Sequence, residues 1–275
     1  MSSGCRDALG MLALAACAAW AQAQVQPQLA QPLRVCADPD NLPYSKRDGS
    51  GFENRIARLM ADELHRPLQT YWLPLRRGFV RKTLGAHQCD VLIGVPRDDE
   101  RVSTTQPYYR SSYVLVTRAD RPDPLGGLDD PRLATQRIGV QLVGNDLAAT
   151  PAGHALALRG ATEHVVGFPV FGDGPAAQRI VNSLARGELD AALVWGPQAA
   201  YFAARSAVPL RIQPLEPLHE LPLPFQFDIA MGVRREPTDR ALRQALDAAI
   251  ERRRAAIDAI LADYGVPRSD AEAAR

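Results

Sequence analysis

The feature that most restricts how this chain can fold is a regular alternation of short β-type runs with helical segments. Leu33-Arg34-Val35-Cys36-Ala37 is β-type and ends in the turn-forming stretch Asp38 to Pro43. From Gly51 to Leu64, the apolar residues Phe52, Ile56, Leu59, Met60 and Leu64 share one helical face. A strand at about Leu68 to Leu73, a helix from about Gly78 to Ala86 and the nearly unbroken apolar run of Cys89 to Val95 follow, and such a run suits a strand covered on both faces. Alternation of this kind predicts an α/β fold built on parallel strands with right-handed crossovers.

The pattern restarts at Tyr113. A strand, Val114-Leu115-Val116, leads through a Pro- and Gly-rich connection from Pro122 to Pro131 into a strand from Arg137 to Leu142. A helix from Pro175 to Arg186, a strand from Asp190 to Trp195 and a helix from about Pro197 to Ala204 complete a second unit. Helix, Asp90, apolar strand and Gly94 in the first half rhyme with helix, Asp190, apolar strand and Gly196 in the second. A Pro-rich stretch, Pro209 to Pro224, then leads to a strand from Phe227 to Val233 and one long helix from about Thr238 to Tyr264, stopped by Gly265 and Pro267. At 275 residues and 46% apolar composition, the chain can bury one large or two medium cores.

Residues 1–23 have the form of a secretory signal peptide: Arg6, an apolar run from Leu9 to Ala19, then the small residues Ala21-Gln22-Ala23. The run is too short to span a bilayer. Cleavage after Ala21 or Ala23 competes with lipoprotein processing at Cys17, which would anchor the protein to a membrane; both routes lead out of the cytoplasm. In an oxidising compartment the two remaining cysteines, Cys36 and Cys89, are either bridged or simply small buried hydrophobes.

The chain carries 32 Lys plus Arg against 31 Asp plus Glu, so no global field favours nucleic acid. His65, His87, His154, His164 and His219 have no metal-ligand spacing, and Asp38, Asp40, Asp48 and Glu53 are broken by Pro39 and Pro43 as a calcium loop. Haem, nucleophile-elbow, Walker and dinucleotide signatures are missing from the sequence, so neither metal, cofactor nor catalytic residue is assigned. What remains are polar and aromatic residues just after strand ends: Asp38 and Asn41, Pro96 and Arg97, Gln141, Gly144 and Asp146, and Trp195 and Gly196. Crevices of open α/β sheets lie at such ends, so these loops are candidates for a ligand cleft. Arg76 and Arg77 could clamp a carboxylate or meet an acidic partner, and are otherwise ordinary surface. Tyr109, beside Tyr108, is an aromatic anchor near a hinge or else a core residue.

Leu33-Arg34-Val35-Cys36-Ala37-Asp38-Pro39 with Gly51-Phe52-Glu53-Asn54 resembles the opening of certain extracellular solute-binding proteins. Arg76-Arg77-Gly78-Phe79-Val80, Cys89 to Pro96 and Thr104 to Tyr113 resemble the subgroup encoded beside methanol dehydrogenases, as do Ile138 to Gly144, Val194-Trp195-Gly196-Pro197 and Phe227 to Arg234. On these residues the chain is identified as resembling the quinoprotein-dehydrogenase-associated binding proteins, the J-type accessory proteins of methanol oxidation, within family 3 of the extracellular solute-binding proteins. The resemblance implies a two-lobed periplasmic-binding-protein fold of type II, with two mixed, mostly parallel sheets flanked by helices and a cleft between the lobes. Residues 33–109 with 227–267 would form lobe 1 and residues 110–226 lobe 2. It further implies a periplasmic protein whose partner is a pyrroloquinoline-quinone methanol or alcohol dehydrogenase. Amino-acid binders of this fold hold the ligand amine with an Asp where this sequence has Trp195, and Arg97 or Arg101 would stand in imperfectly for their carboxylate-clamping Arg. The alternatives are a receptor that delivers a small polar solute to an importer, and an enzyme using Asp38 or Asp146.

Overall fold

The structure is a computed structural model that describes residues 31–143, 148–170, 174–215 and 224–266. The export signal of residues 1–23, with Cys17, Ala21 and Ala23, lies outside the described residues, as do Gly144 and Asp146.

In chain order, β1 (Leu33–Ala37) leads into the small hairpin β2 (Asp40–Asn41) and β3 (Ser45–Lys46). Helix α1 (Phe52–Glu63), β4 (Leu68–Trp72), the short α2 (Phe79–Lys82), β5 (Leu92–Pro96), β6 (Ser103–Thr104) and the ten-residue β7 (Tyr109–Arg118) follow. Next come β8 (Ile138–Val143), β9 (Ala148–Ala149), α3 (Pro151–Leu158), β10 (Val165–Pro169), α4 (Ala176–Ala185), β11 (Ala191–Trp195), α5 (Gly196–Ala203) and β12 (Leu210–Pro214). The chain returns through β13 (Gln226–Val233) to α6 (Arg240–Arg252) and α7 (Arg254–Asp263).

Parallel pairing is confined to two places. β1 pairs with β4 and bridges at Val35 to Val91, and β8 lies between β10 and β11. The mostly parallel pattern fails in the middle, because β7 and β13 are antiparallel to each other and to the strands beside them: β7 to β11 and β12, β13 to β5 and β6. These two long strands join both halves into one continuous ladder, β10-β8-β11-β7-β13-β5, in place of two separate sheets. Along it sit separate apolar cores. One gathers Leu33, Phe52, Ile56, Met60, Tyr109, Met231, Leu246 and Leu261; the others gather Leu115, Leu133, Ile138, Leu156 and Leu193, and Val116, Ile180, Leu184, Val194 and Phe202.

Two expected helices differ in length. The segment from Gly78 closes after Lys82, where the Thr83 hydroxyl turns back onto the Phe79 carbonyl at 2.6 Å in place of continuing the helix. The long C-terminal helix breaks at Arg253, letting Leu246 and Ile250 before it and Ile257 and Leu261 after it all reach the same core. Cys36 and Cys89 are bridged, with their Cα atoms 5.5 Å apart, and pack with Leu84, Leu92, Val95 and Val102.

The rhyme between the halves has a physical cause. Asp90 accepts the Arg34 amide at 3.3 Å and the Arg34 guanidinium at 2.5 and 3.1 Å, while the guanidinium also donates to the His87 carbonyl. Asp190 does the same for Arg137: amide at 2.9 Å, guanidinium at 3.3 Å, with a further bond to the Gly187 carbonyl. His87 and Gly187 both have positive φ, 55° and 73°, so each helix-to-strand turn passes through the same left-handed residue. Each clamp fixes where the first strand of its unit starts against a neighbour. The Asp90 clamp is the deeper one, because Arg234, with 11% of its side chain exposed, also reaches it and pairs with Asp239 at 2.6 Å. Asp90→Ala removes the carboxylate that serves Arg34 and Arg234 together, although Arg234 keeps Asp239, and should cost about 2 kcal/mol, against about 1 kcal/mol for Asp190→Ala, in urea denaturation at pH 7.

Candidate functional site

The residues expected at strand ends meet different fates. Asp38 is a turn anchor: one carboxylate oxygen accepts the Leu75 amide at 2.5 Å and the other the Asp40 amide at 2.7 Å. It thereby holds the segment that presents Arg76 and Arg77, both exposed beside Leu75, which is itself 53% exposed. Asn41 lies in β2 opposite Ser45. Pro96 ends β5, and Arg97 is exposed with its amide on the Asp228 carbonyl at 2.8 Å. Arg101 is held by Asp99 at 2.6 and 2.8 Å, so it is not a free clamp. Gln141 is buried and donates to Gln198 at 3.1 Å.

Trp195 and Tyr109 come together. Trp195 ends β11, where Gly196 opens α5, and it packs against the first two of the cores described above, as does Phe227 of β13. Its ring meets Tyr113 at 5.4 Å and Phe227 at 5.6 Å, both edge-on, and Tyr113 continues to Phe225 at 5.5 Å. On the other side stand Tyr44, Phe52 and Tyr109, with Phe52 5.3 Å from Tyr44 and 6.2 Å from Tyr109. Burial first, then the nearby Tyr109, Glu53 and Tyr113, hold the Tyr44 phenol well above its ordinary value, and the Trp195 side chain works against that shift. Aromatic rings thus gather where the two halves meet. A second bridge lies at the back, where Tyr264 stacks on Tyr201 at 5.9 Å and touches Phe52 at 5.7 Å.

Sequence reasoning missed the aromatic partners Tyr44, Tyr113, Phe225 and Phe227, whose meeting depends on strand register, and it misjudged Glu53. That residue falls within Gly51-Phe52-Glu53-Asn54 but was weighed only as a failed calcium ligand. Its carboxyl has no hydrogen-bond partner among the described residues, and its Oε1 occupies the space that a Cβ at Gly94 would take, 2.0 Å away. Gly94 is needed for that close approach. Burial raises the Glu53 carboxyl from its ordinary 4.5 to about 7. Among the described residues no group of three or more His, Cys, Asp or Glu could hold a metal ion, and no helix is long and apolar enough to cross a membrane.

Two α/β halves joined by a shared antiparallel strand pair, with aromatic rings at their junction, define a protein of the two-lobed binding class. The chain belongs to the bacterial extracellular solute-binding proteins, family 3, whose model matches residues 33–266. It is 36% identical to Protein MoxJ of Methylorubrum extorquens over 94% of this chain and 91% of that protein, and 33% identical to Protein MoxJ of Paracoccus denitrificans over 86% and 88%. Among solved structures, the periplasmic binding protein XoxJ from Methylobacterium extorquens AM1 is similar at 39% identity and a TM-score of 0.70, covering 86% of this chain and 98% of that one. MxaJ from Methlophaga aminisulfidivorans MPT gives 28% identity and a TM-score of 0.76, covering 86% and 99%. An ancestral cationic amino acid solute-binding protein shares the fold, at 18% identity and a TM-score of 0.64. The J-type resemblance read from the sequence therefore holds over most of the chain.

The Glu53 carboxyl sets a pH dependence. The folded protein keeps this proton up to about pH 7, whereas the unfolded chain releases it near 4.5, so the folded state binds more protons in between. This contribution to stability is full below 4.5, declines as pH rises to about 7 and is then gone. Glu53→Gln removes the decline: relative to the unaltered protein it should gain about 1–2 kcal/mol between pH 5 and pH 8 in paired urea denaturation curves, less than full burial would give because Glu53 is only half-buried.

Proposed function

We propose that this chain is a non-catalytic, periplasmic accessory protein of solute-binding type that assists maturation or activation of a pyrroloquinoline-quinone-dependent methanol or alcohol dehydrogenase, itself binding no cofactor. The observation that carries the reading is the cleft: Trp195, Phe227, Tyr113 and Tyr44 fill the space where an amino-acid receptor needs a carboxylate for the amine and a free Arg for the carboxylate. Such a surface suits an apolar segment of a partner better than a zwitterion, because an unpaired ammonium or carboxylate placed against these rings loses its hydration without replacement. Similarity to the MoxJ, MxaJ and XoxJ proteins supports the same reading.

The lobes of this reading are residues 33–109 with 227–267, and 110–226. Arg76, Arg77 and exposed Leu75 supply a cationic, partly apolar edge for the dehydrogenase, while Asp38, Asn41, Pro96, Arg97, Gln141 and Gly196 frame the cleft around Trp195 and Tyr109. Catalysis is disfavoured because the Asp38 oxygens are already committed to backbone donors.

A receptor role for an importer of amino acids or other small polar solutes is the second reading, favoured by the family 3 match. Purified protein lacking residues 1–23 separates the two when used as bait in a periplasmic extract and in thermal melts with amino acids. The accessory role predicts capture of a quinoprotein dehydrogenase with no amino-acid shift, and weaker capture by at least tenfold with Arg76→Glu/Arg77→Glu or Trp195→Ala. Melting-point increases with amino acids and no dehydrogenase would establish the receptor instead.

A further inference from the structure

Apart from the aromatic cleft, the first unit contains a cavity of about 290 Å³ between α1 and the face of β1 and β4. Leu68, Thr70 and Trp72 all turn toward it, as their period-two spacing requires, and all three are half-buried. The inner wall is apolar: Val35, Ala37, Ala57, Leu68 and Ile93. Facing it from α1 is the carboxyl of Glu53, which has no hydrogen-bond partner among the described residues.

The outer rim is cationic. Arg47, in the turn after β3, lies over the Trp72 ring at 5.5 Å, and Arg58 of α1 comes within 3.9 Å of the space above Gly49. Neither guanidinium has a carboxylate within salt-bridge distance among the described residues. Asp48, also on the rim, is occupied by Lys46 at 3.6 Å and by the Ser50 amide at 2.9 Å. The rim therefore offers two uncommitted forks for an anion above an apolar pocket, with a carboxyl inside that can donate a proton.

We infer that this cavity is a binding site for a compact monocarboxylate with an apolar body, such as a short-chain aliphatic or simple aromatic acid, whose carboxylate meets Arg47 and Arg58 at the rim. The apolar body lies against Val35, Ala37, Ala57 and Ile93. A cation is the wrong sign for this rim, and a zwitterion would place its ammonium against the guanidinium groups.

Protonation sets the pH behaviour. The groups around Glu53 are Tyr44 beside β3, Tyr108 and Tyr109 where β7 begins, and Arg47, Asp48 and Arg58 at the rim. Burial keeps the three phenols neutral well past the working range, so Glu53 is the group that titrates. Ionisation of Glu53 puts a negative charge into the cavity, so affinity for an anion should fall as pH rises through about 7 and level off below it.

Benzoate and butyrate serve as probes in isothermal titration with the whole mature protein at pH 6, 7, 8 and 9, alongside choline as a cationic control. The expected result is binding of at least one acid, no binding of choline, at least tenfold loss in Arg47→Ala/Arg58→Ala, and a flattened pH profile in Glu53→Gln. The rim arginines are exposed, so their substitution leaves the fold intact, as circular dichroism would verify. Trp195→Ala, which alters the cleft and not the cavity, should bind benzoate as before. Loss of binding in Trp195→Ala with retention in the arginine variant would move the ligand to the cleft and overturn the inference. Binding of choline, or of neither acid at 10-millimolar probe (about the weakest affinity such a small ligand would show), would overturn it as well.

Discussion

The antiparallel pairing of β7 with β13 is the constraint on which the rest of the structure depends. Gln226 to Ile229 hydrogen-bond against Tyr109 to Ser112, and from this short ladder β5 and β6 extend on one side and β11 and β12 on the other. Two strands that enter one core through Tyr109, Ile229 and Met231 and leave through Tyr113 and Leu115 cannot be cut without separating the units. Any relative motion of the halves must be absorbed by bending these strands, because they are the covalent and hydrogen-bonded links between them.

This arrangement explains what could be read in the sequence. Local periodicity reports which face of a strand or helix is apolar, and it placed α1, α4, β5, β8 and β11 well, because each is a single element whose pattern is complete in itself. The Asp90 and Asp190 rhyme was visible for a different reason: each Asp must serve the amide of the residue that starts its partner strand, so the residue type and position recur. Antiparallel pairing of β7 and β13 was not legible, since Tyr109 and Phe227 are more than a hundred residues apart and nothing in either run names the other. The breaks at Thr83 and Arg253 were equally hidden, because a hydroxyl turned onto a carbonyl and a core shared by two helix halves depend on tertiary neighbours.

The site shows the same division. Trp195 stands out in the sequence by its place at the end of an apolar strand, and its meaning comes from the resemblance; the rings gathered around it come from three distant stretches of chain, at Tyr44, Tyr109 with Tyr113, and Phe225 with Phe227. Glu53 carries no such signal in the sequence. A glutamate near a helix start is ordinarily a solvated residue that favours the helix dipole, and only the missing side chain at Gly94 and the wall of strands behind it turn this one into an inward carboxyl.

The aromatic filling of the cleft also bears on what can open it. A receptor of this fold closes because its solute binds the closed form better than the open one, and a ligand shifts such an equilibrium only by that difference. Here Trp195 and Phe227 already contact both cores, and Tyr264 stacks on Tyr201 behind them. A fully buried large ring covers on the order of 150–250 Å², about 4–6 kcal/mol at the usual coefficient, so even the partly buried contacts of Trp195 and Phe227 with both cores oppose separation of the halves. A polar solute entering this cleft would have to displace those contacts and supply none in return. On the proposed accessory role, an apolar segment of a partner would replace these ring contacts, which a polar solute would not.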